Sequence, residues 1–254
     1  MGIETTIEDG VAHVVMNVPP VNAFDSATWA ELAALFRRLS EDDAARVVLL
    51  SAEGRGFQAG VDIKELAQDS TAITKVNKGC YDTFAAIYDC QVPVVTAVHG
   101  FCLGGGIGMS GASDIVFASE DATFGLPEID RGALGAATHL YRMFGMAKAR
   151  KMLLTGETIT AAEAYRLGAL EEVTTRENLL PAARRVAESI ASKSPKAVRL
   201  AKESLNGIEL MDVKKSYRFE QGFTLELYTS PDSQEARDAF VEKRDAAFSD
   251  QKKK

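Results

Sequence analysis

The chain has 254 residues, a formal net charge of −7 and 46% hydrophobic residues. It is long enough to bury a core without disulfides or metals, and its composition excludes wholesale disorder. The acidic balance argues against a general nucleic-acid binder, and no apolar run approaches the ~20 residues of a membrane span. We therefore expect neither nucleic acid nor a membrane as a partner.

The spacing of cysteines and histidines indicates neither a disulfide framework nor a metal site. The chain has three of each, at Cys80, Cys90 and Cys102 and at His13, His99 and His139. An odd number of cysteines without a CxxC pair is unlike a secreted disulfide framework, and the histidines form no HxH or HExxH pattern. Since the N-terminus has no signal-like segment, we expect a cytoplasmic protein without a metal ion.

The first part of the chain predicts a hairpin, a helix and a buried strand. Residues 3–18 alternate between apolar and polar side chains around Asp9-Gly10, a turn pair typical of hairpins. Apolar residues at helical spacing predict a helix over residues 27–40. The apolar run within Arg46–Ala52 predicts a buried strand.

Strands and helices continue to alternate through the middle of the chain. A glycine-rich turn at 54–60 precedes a long predicted helix over 71–90 and a buried strand at Val92–Val98. Three glycines at 104–106 then open a short helix, and Ile115–Ala118 is a further core strand. This alternation predicts an α/β fold with parallel strand pairing.

From about residue 145 onward the sequence predicts only helices. Thr160 begins a capping box with Glu163. Pro195 and Pro231 each follow a serine at a first helical position. The chain is therefore predicted to be an α/β core followed by a helical tail.

The middle of the chain matches two known functional motifs, but neither stands in the structural context that its function requires. Residues 106–111 fit the GxGxxG dinucleotide fingerprint, but they follow an interior strand rather than the first strand of a βαβ unit. Ser110, Asp130 and His139 follow the chain order of an α/β-hydrolase triad, but the elbow lacks its last glycine and the three residues share one short stretch. We interpret Ser110 as a small packing residue.

A third pattern is more specific. Two glycine-rich turns, at 59–62 and 104–106, each follow a predicted strand. Each can present a free backbone N–H, the second at a helix N-terminus where the dipole favours negative charge. Two such donors that converge form an oxyanion hole.

This pair of turns resembles the crotonase (enoyl-CoA hydratase/isomerase) superfamily over essentially the whole chain. The resemblance is carried by residues 56–66, 93–106, 122–128 and 238–244. It implies a crotonase-like spiral of ββα units over residues 1–190 that holds the acyl-CoA site, with a C-terminal helical trimerisation region over 191–254. It also implies a homotrimer or homohexamer and an acyl-CoA substrate, with no cofactor beyond the coenzyme A that the substrate carries.

By position, the resemblance assigns the catalytic groups to three residues. The N–H groups of Val61 and Gly105 would form the oxyanion hole around the thioester oxygen, and Glu128 would be the acid–base. The substrate- and CoA-binding residues would be Ala59, Gly60, Asp62, Ile63, Lys64, Gly104, Arg131, His139 and Lys243.

Some of these residues have a structural interpretation beside the functional one. We expect Asp62 to buttress the first turn as a helix cap. Lys64 and Lys243 are expected near the nucleotide end of coenzyme A. We interpret His99 as a satisfied core or loop histidine.

The chain departs from the hydratases of this family at one catalytic position. They carry two glutamates, of which one matches Glu128 and the other is replaced here by Gly108. Two carboxylates help to add water across a C=C bond. One suffices to shuttle a proton, or to activate water against a ketone before C–C cleavage releases an enolate into the oxyanion hole. Asp130, Arg131 and His139 would tune the pKa of Glu128 or bind a polar acyl group.

The stretch after the glutamate differs as well. Residues 131–140 replace a Pro-Gly-x-Gly-Gly-Thr-Gln-Arg-like stretch of the hydratases, which suggests a reshaped acyl pocket. Together with Gly108 and 216–224, this stretch resembles an actinobacterial branch that hydrolyses a bicyclic β-keto acyl-CoA in the breakdown of sterol rings C and D. We therefore expect hydrolytic ring cleavage of a cyclic β-keto acyl-CoA. The alternatives are an enoyl-CoA hydratase or Δ3,Δ2-enoyl-CoA isomerase that uses a single glutamate, and an RNA-binding or structural protein with a silent site.

Overall fold

The computed structural model describes residues 2–68, 72–131, 133–209 and 230–248. Its strands form a six-stranded sheet of order β1-β2-β3-β4-β6-β9 and a three-stranded sheet of order β5-β7-β8. The strands are β1 (Gly2–Glu8), β2 (Val11–Asn17), β3 (Val47–Ala52), β4 (Val94–Val98), β5 (Phe101–Leu103), β6 (Ile115–Ser119), β7 (Thr123–Gly125), β8 (Thr158–Thr160) and β9 (Glu172–Thr174). The β1–β2 and β7–β8 pairs are antiparallel, and the other pairs are parallel.

Helices alternate with these strands along the chain. They are α1 (Ser26–Glu41), α2 (Ile63–Gln68), α3 (Ile73–Tyr88), α4 (Gly105–Ala112), α5 (Ala137–Thr155), α6 (Ala161–Arg166), α7 (Arg176–Ala191), α8 (Pro195–Ile208) and α9 (Pro231–Glu242), with a 3₁₀ turn at Pro127–Arg131. No helix in the described parts of the chain is long and apolar enough to cross a membrane.

Both faces of the large sheet are covered at its central strands β3, β4 and β6, which explains why these strands are largely apolar runs. In β3, Val48 and Leu50 face the main core, which also receives α1, α3, α4 and α5. Val47 and Leu49 point the other way and pack against the alanine-rich face of α7. Because side chains alternate along a strand, a strand buried on both faces shows no polar alternation.

The predicted elements of the first half are confirmed. The hairpin turns at Asp9-Gly10, where both residues have positive φ, at 50° and 82°. Helix α1 begins one residue before the predicted range, and its Asp25 cap accepts a hydrogen bond from Thr28 N at 2.8 Å. The long predicted helix is α3, and the parallel pairing of the core strands is confirmed.

The prediction of an all-helical second half is wrong. Strands β8 and β9 interrupt the helices after residue 145, and β9 extends the large sheet beside β6. Each is three residues long, too short to show an alternating pattern, and each is held by a neighbouring strand. The cap at Thr160 is confirmed, because its side chain accepts from Glu163 N at the start of α6. The Glu163 carboxylate bonds Lys148 and Arg166, so the return bond of a capping box is not seen in the part of the chain that the structure describes.

The predicted helical region over 191–254 is described only in part. Helices α8 and α9 each begin with a proline after a serine, as predicted. The stretch 216–224 lies outside the described residues, and the division of the chain at residue 190 stays a prediction.

Helix α8 is fixed to the large sheet by a buried lysine that pairs with Asp114. Lys202 is only 5% exposed, and its Nζ donates to Asp114 Oδ2 at 2.7 Å and to Val92 O at 3.2 Å. The same Asp114 oxygen accepts from Val94 N at 2.7 Å. The carboxylate thus joins the start of β4 to α8.

Loss of the lysine charge should destabilise the protein. We expect Lys202→Met to lower the free energy of unfolding by about 1–3 kcal/mol, because Val92 O and Asp114 would lose the buried ammonium that donates to them. Urea unfolding followed by circular dichroism measures this. Lys78→Met, which breaks an exposed pair with Asp82 on α3, serves as the control and should change little. Equal losses in the free energy of unfolding for the two substitutions would show that burial of the Lys202 ammonium adds nothing to stability.

Candidate active site

Two glycine turns lie against each other, one after the bridge of Gln58 to Cys102 and the other after β5. A methyl group built on Gly104 would lie 3.1 Å from the Cα of Gly60, and one built on Gly60 would lie 3.9 Å from the amide nitrogen of Gly105. Gly60 and Gly104 have φ of +97° and +57°, which residues with a side chain rarely adopt. The close approach requires glycine at position 104, and the positive φ favours glycine at both positions.

The amide of Val61 points out of the first turn. Phe24 N donates to Gly60 O at 3.1 Å, and Asp62 N donates to Phe24 O at 2.8 Å. Val61 is the centre of this parallel bridge, so its own N–H faces the opposite side. The second amide belongs to Gly105, the first residue of α4, where N–H groups have no partner within the helix. The amides of Val61 and Gly105, the two predicted oxyanion donors, therefore lie close together.

Glu128 lies over both turns. It sits on the 3₁₀ turn Pro127–Arg131, half-buried, and its backbone oxygen accepts from Ala133 N at 3.0 Å. A methyl group on Gly104 would overlap Glu128 Oε1, and one on Gly60 would lie 3.9 Å from the same oxygen. The carboxylate is thus placed to exchange a proton with a group bound at the two turns.

The position that carries a second glutamate in the hydratases is filled by an aromatic ring. A methyl group on Gly108 would overlap the ring of Phe84. That ring is 9% exposed and makes edge-to-face contacts with Trp29 and His139, at centroid distances of 5.8 Å and 4.9 Å. A glutamate at position 108 would have no space unless Phe84 moved.

Glycines at a spacing of three form a stripe along α4, and aromatic residues cover it. The pairs are Gly105 with Trp29, Gly108 with Phe84, and Gly111 with His139. Since residues three apart lie on the same side of a helix, the stripe faces one continuous aromatic layer. This layer fixes how closely α4 approaches α1, α3 and α5.

The candidate hydrolase triad is not assembled. Ser110 is 1% exposed, and its Oγ lies 3.4 Å from Cys102 Sγ, which confirms its interpretation as a packing residue. Asp130 faces the end of α5, where a methyl group on Gly156 would lie 2.7 Å from its Oδ2. His139 packs on Gly111 instead.

Five of the nine predicted substrate- and CoA-binding residues lie on or directly after the first turn. Asp62 Oδ1 accepts from Lys64 N at 2.9 Å, which confirms the expected helix cap at the start of α2. Ile63 and Lys64 are exposed, and Ala59 is half-buried. Lys243 is exposed directly after α9. The side chain of Arg131 lies outside the described residues, and the binding roles of this group stay predictions.

The buried histidines favour their neutral forms. Burial, and then the Arg142 charge, lower the pKa of His139, and its Nδ1 is buried without a hydrogen-bond partner among the described residues. Burial also lowers the pKa of His99, whose Nε2 lies 3.2 Å from Gly54 O, which confirms it as a satisfied loop histidine. At neutral pH the His139 imidazole therefore adds no positive charge near the site.

Sequence reasoning assigned no role to two residues that shape the site. Gln58 is fully buried and hydrogen-bonds Gly60 twice with its side chain. Phe84 closes the space at Gly108. Gln58 could have been identified from the sequence, because it is a long polar residue inside the first glycine-rich motif. Phe84 could not, because it looks like any core residue of α3.

Comparisons with known proteins agree with this geometry. The family described as "Enoyl-CoA hydratase/isomerase" matches residues 6–251. A "(7aS)-7a-methyl-1,5-dioxo-2,3,5,6,7,7a-hexahydro-1H-indene-carboxyl-CoA hydrolase" of Mycobacterium tuberculosis is 50% identical, with 94% of this chain and 98% of that protein covered. A protein of the same name from Rhodococcus jostii is 51% identical, with 95% of each chain covered. An enoyl-CoA hydratase structure from Bacillus anthracis is 30% identical at a TM-score of 0.94, covering 99% of this chain and 100% of that one.

The contact between Gly108 and Phe84 can be tested by a double-mutant cycle. Gly108→Ala should lower the free energy of unfolding by about 1–3 kcal/mol, because the methyl group meets the ring, although alanine is the better helix former. The same change in a Phe84→Leu background should cost less. Gly135→Ala is the control, since nothing lies within 4 Å of that added methyl. Additive effects in the cycle would contradict the contact.

The lowered pKa of His139 predicts a pH dependence of stability. The unfolded chain binds a proton at this histidine at higher pH than the folded protein does. The stability that His139 contributes is therefore present above its unfolded pKa of about 6.5 and is lost as pH falls below it. The ring-preserving His139→Phe should lose less stability than the wild type between about pH 7.5 and about pH 5.5. Thermal unfolding at both pH values measures this, and identical pH slopes would argue against it.

Proposed function

This chain belongs to the enoyl-CoA hydratase/isomerase family, and from that premise we propose that it hydrolyses a ring C–C bond in a bicyclic β-keto acyl-CoA of sterol breakdown. Two relatives that are 50% and 51% identical over nearly their whole length are named hydrolases of a hexahydroindene-carboxyl-CoA. Those names describe two fused rings, two ketones and a CoA thioester. The same class of substrate fits a site with a thioester oxyanion hole and one carboxylate.

The observation that carries the proposal is the pairing of Glu128 with a closed position 108. Glu128 lies at the two glycine turns, whereas Phe84 occupies the space beside Gly108. Two carboxylates favour hydration of a C=C bond, and this site offers one at the matching positions. Activation of water against a ketone needs only one base.

We propose the following steps. Glu128 takes a proton from water, whose oxygen attacks the ring ketone β to the thioester. The C–C bond between this carbonyl carbon and the α-carbon breaks, and its electron pair forms the thioester enolate. The N–H groups of Val61 and Gly105 hold the enolate oxygen, and Glu128 returns the proton to the α-carbon. The product has gained one water, carries a new carboxylate and keeps its coenzyme A.

The remaining features of the proposal concern binding and assembly. Lys64 and Lys243 are exposed cations that would meet the phosphates of coenzyme A. The chemistry requires no cofactor beyond the coenzyme A of the substrate. We propose a cytoplasmic homotrimer or homohexamer, as the resemblance implies. Three cysteines without a disulfide suit such a reducing compartment.

The second candidate is an enoyl-CoA isomerase or single-glutamate hydratase. The observation that favours it is the same lone carboxylate, which could carry a proton between two carbons of an allylic system. Mass spectrometry separates these candidates when the purified protein receives crotonyl-CoA, a 3-enoyl-CoA and a bicyclic β-keto acyl-CoA in parallel. A gain of one water on the bicyclic substrate alone supports ring hydrolysis, whereas fast hydration of crotonyl-CoA would overturn it.

The base can be tested directly. Glu128→Gln should lower turnover by about 10²–10⁴-fold, because the amide cannot accept the proton from water. Binding of coenzyme A, measured by calorimetry, should be retained. Glu31→Gln, which changes an exposed carboxylate on α1, is the control. Turnover near the wild-type rate in Glu128→Gln would remove this residue from the base role.

A further inference from the structure

The side chain of Gln58 bonds both the N–H and the carbonyl of Gly60, the residue that precedes Val61. Its Oε1 accepts from Gly60 N at 2.7 Å, and its Nε2 donates to Gly60 O at 2.7 Å. Only one orientation of the amide satisfies both bonds, so the assignment of oxygen and nitrogen is fixed by the backbone. Gln58 is fully buried, and solvent cannot replace either bond.

The carbonyl that Gln58 holds shares its peptide bond with the first oxyanion donor. Gly60 O and Val61 N–H belong to one planar trans unit, in which the two groups point in opposite directions. Gln58 Nε2 and Phe24 N both donate to this oxygen, at 2.7 Å and 3.1 Å. Fixing the oxygen therefore fixes the direction of the Val61 N–H. Donation to the carbonyl also polarises the peptide and makes that N–H a stronger donor.

The backbone of Gln58 ties the same turn to the second donor. Gln58 N donates to Phe101 O at 3.1 Å, and Leu103 N donates to Gln58 O at 2.9 Å. These bonds pair the residue with β5, which leads directly into Gly105. A methyl group on Gly105 would lie 3.2 Å from Gln58 Oε1. Gln58 is thus in contact with both turns.

We propose that Gln58 is a positioning residue of the oxyanion hole, which sets the direction and strength of the Val61 N–H relative to that of Gly105. The inference rests on the proposed function only through the oxyanion hole, and it holds for ring hydrolysis and for the isomerase alternative. Gly60 has a backbone conformation that few residues hold unaided. The two hydrogen bonds of the Gln58 amide hold the turn in the conformation that points the Val61 N–H toward the oxyanion hole.

The first test removes both side-chain bonds with little change in shape. Gln58→Met should lower kcat by about 10- to 100-fold, less than the ~10²–10³ of losing a whole donor, because the Phe24 bond remains. KM should change by less than about threefold, since the donor acts mainly on the developing enolate charge. Thr96→Val is the control. It removes a buried side-chain bond between β4 and Ser113 Oγ, which lies beyond the far end of α4 from Gly105, and it should weaken urea resistance while kcat stays unchanged.

A spectroscopic probe separates positioning from general stability. Acetyl-CoA with a ¹³C thioester carbonyl is small and has no ring ketone, and hydrogen bonds to its carbonyl lower the C=O stretching frequency. We expect this shift in the wild type and in Thr96→Val, and a smaller shift in Gln58→Met. A full shift together with wild-type kcat in Gln58→Met would overturn the proposal. No shift in the wild type would instead refute the oxyanion hole itself, so the two failures are distinguishable.

A second variant keeps the proposal testable if Gln58→Met does not fold. Glutamate at position 58 can still accept from Gly60 N, but it can donate to Gly60 O only when its carboxyl is protonated. The ratio of Gln58→Glu activity to wild-type activity should therefore fall as pH rises through the pKa of the new carboxyl group. A ratio that stays constant with pH would contradict the role of the Nε2 bond.

Discussion

The close contact of two glycine turns is the constraint on which the site depends. A side chain on Gly104 would overlap Glu128 and press on Gly60, whereas Gly60 is held as glycine by its positive φ of +97°. The contact is set by strand pairing, because Gln58 bridges Cys102 in register at the start of the second turn. An oxyanion hole made of backbone groups is therefore a property of sheet geometry. Side-chain substitutions reach it only through the residues that hold the turns.

Helix α4 depends on its surroundings rather than on its own sequence. It spans eight residues and includes four glycines, and each glycine within a helix costs about 1 kcal/mol relative to alanine. A helix this short is not stable alone. The aromatic layer offsets the cost, since Trp29 and Phe84 pack directly against the helix backbone where a Cβ would otherwise stand. The first-turn amide of Gly105 is thereby held in a rigid position.

The sequence predicted the features that depend on residues close together in the chain, and it missed those that depend on contacts between distant residues. The Asp9-Gly10 hairpin, the buried strands and the cap at Asp62 follow from neighbouring residues, and all are confirmed. The glycine turns also carried enough pattern to predict that residues 60 and 104 meet, and they do. Strand β9 could not be predicted, because its three residues are strand only through their pairing with β6. Phe84 could not be assigned to the site for the same reason, since its meaning comes from Gly108, which lies on another helix.

The proposed reaction depends on two positions, Gly108 and Phe84. Only Gly108 belongs to a sequence motif. Gly108 removes a carboxylate, and the Phe84 ring takes the space, so a glutamate restored at 108 would collide with the ring. Phe84 in turn contacts Trp29, whose ring covers Gly105 at the hole. A change that opened room for a second carboxylate would therefore loosen the packing behind an oxyanion donor. The same aromatic contacts thus fill the place of the second carboxylate and pack behind Gly105. A single substitution at position 108 would therefore not restore a two-carboxylate site, because Phe84 and Trp29 would have to repack as well.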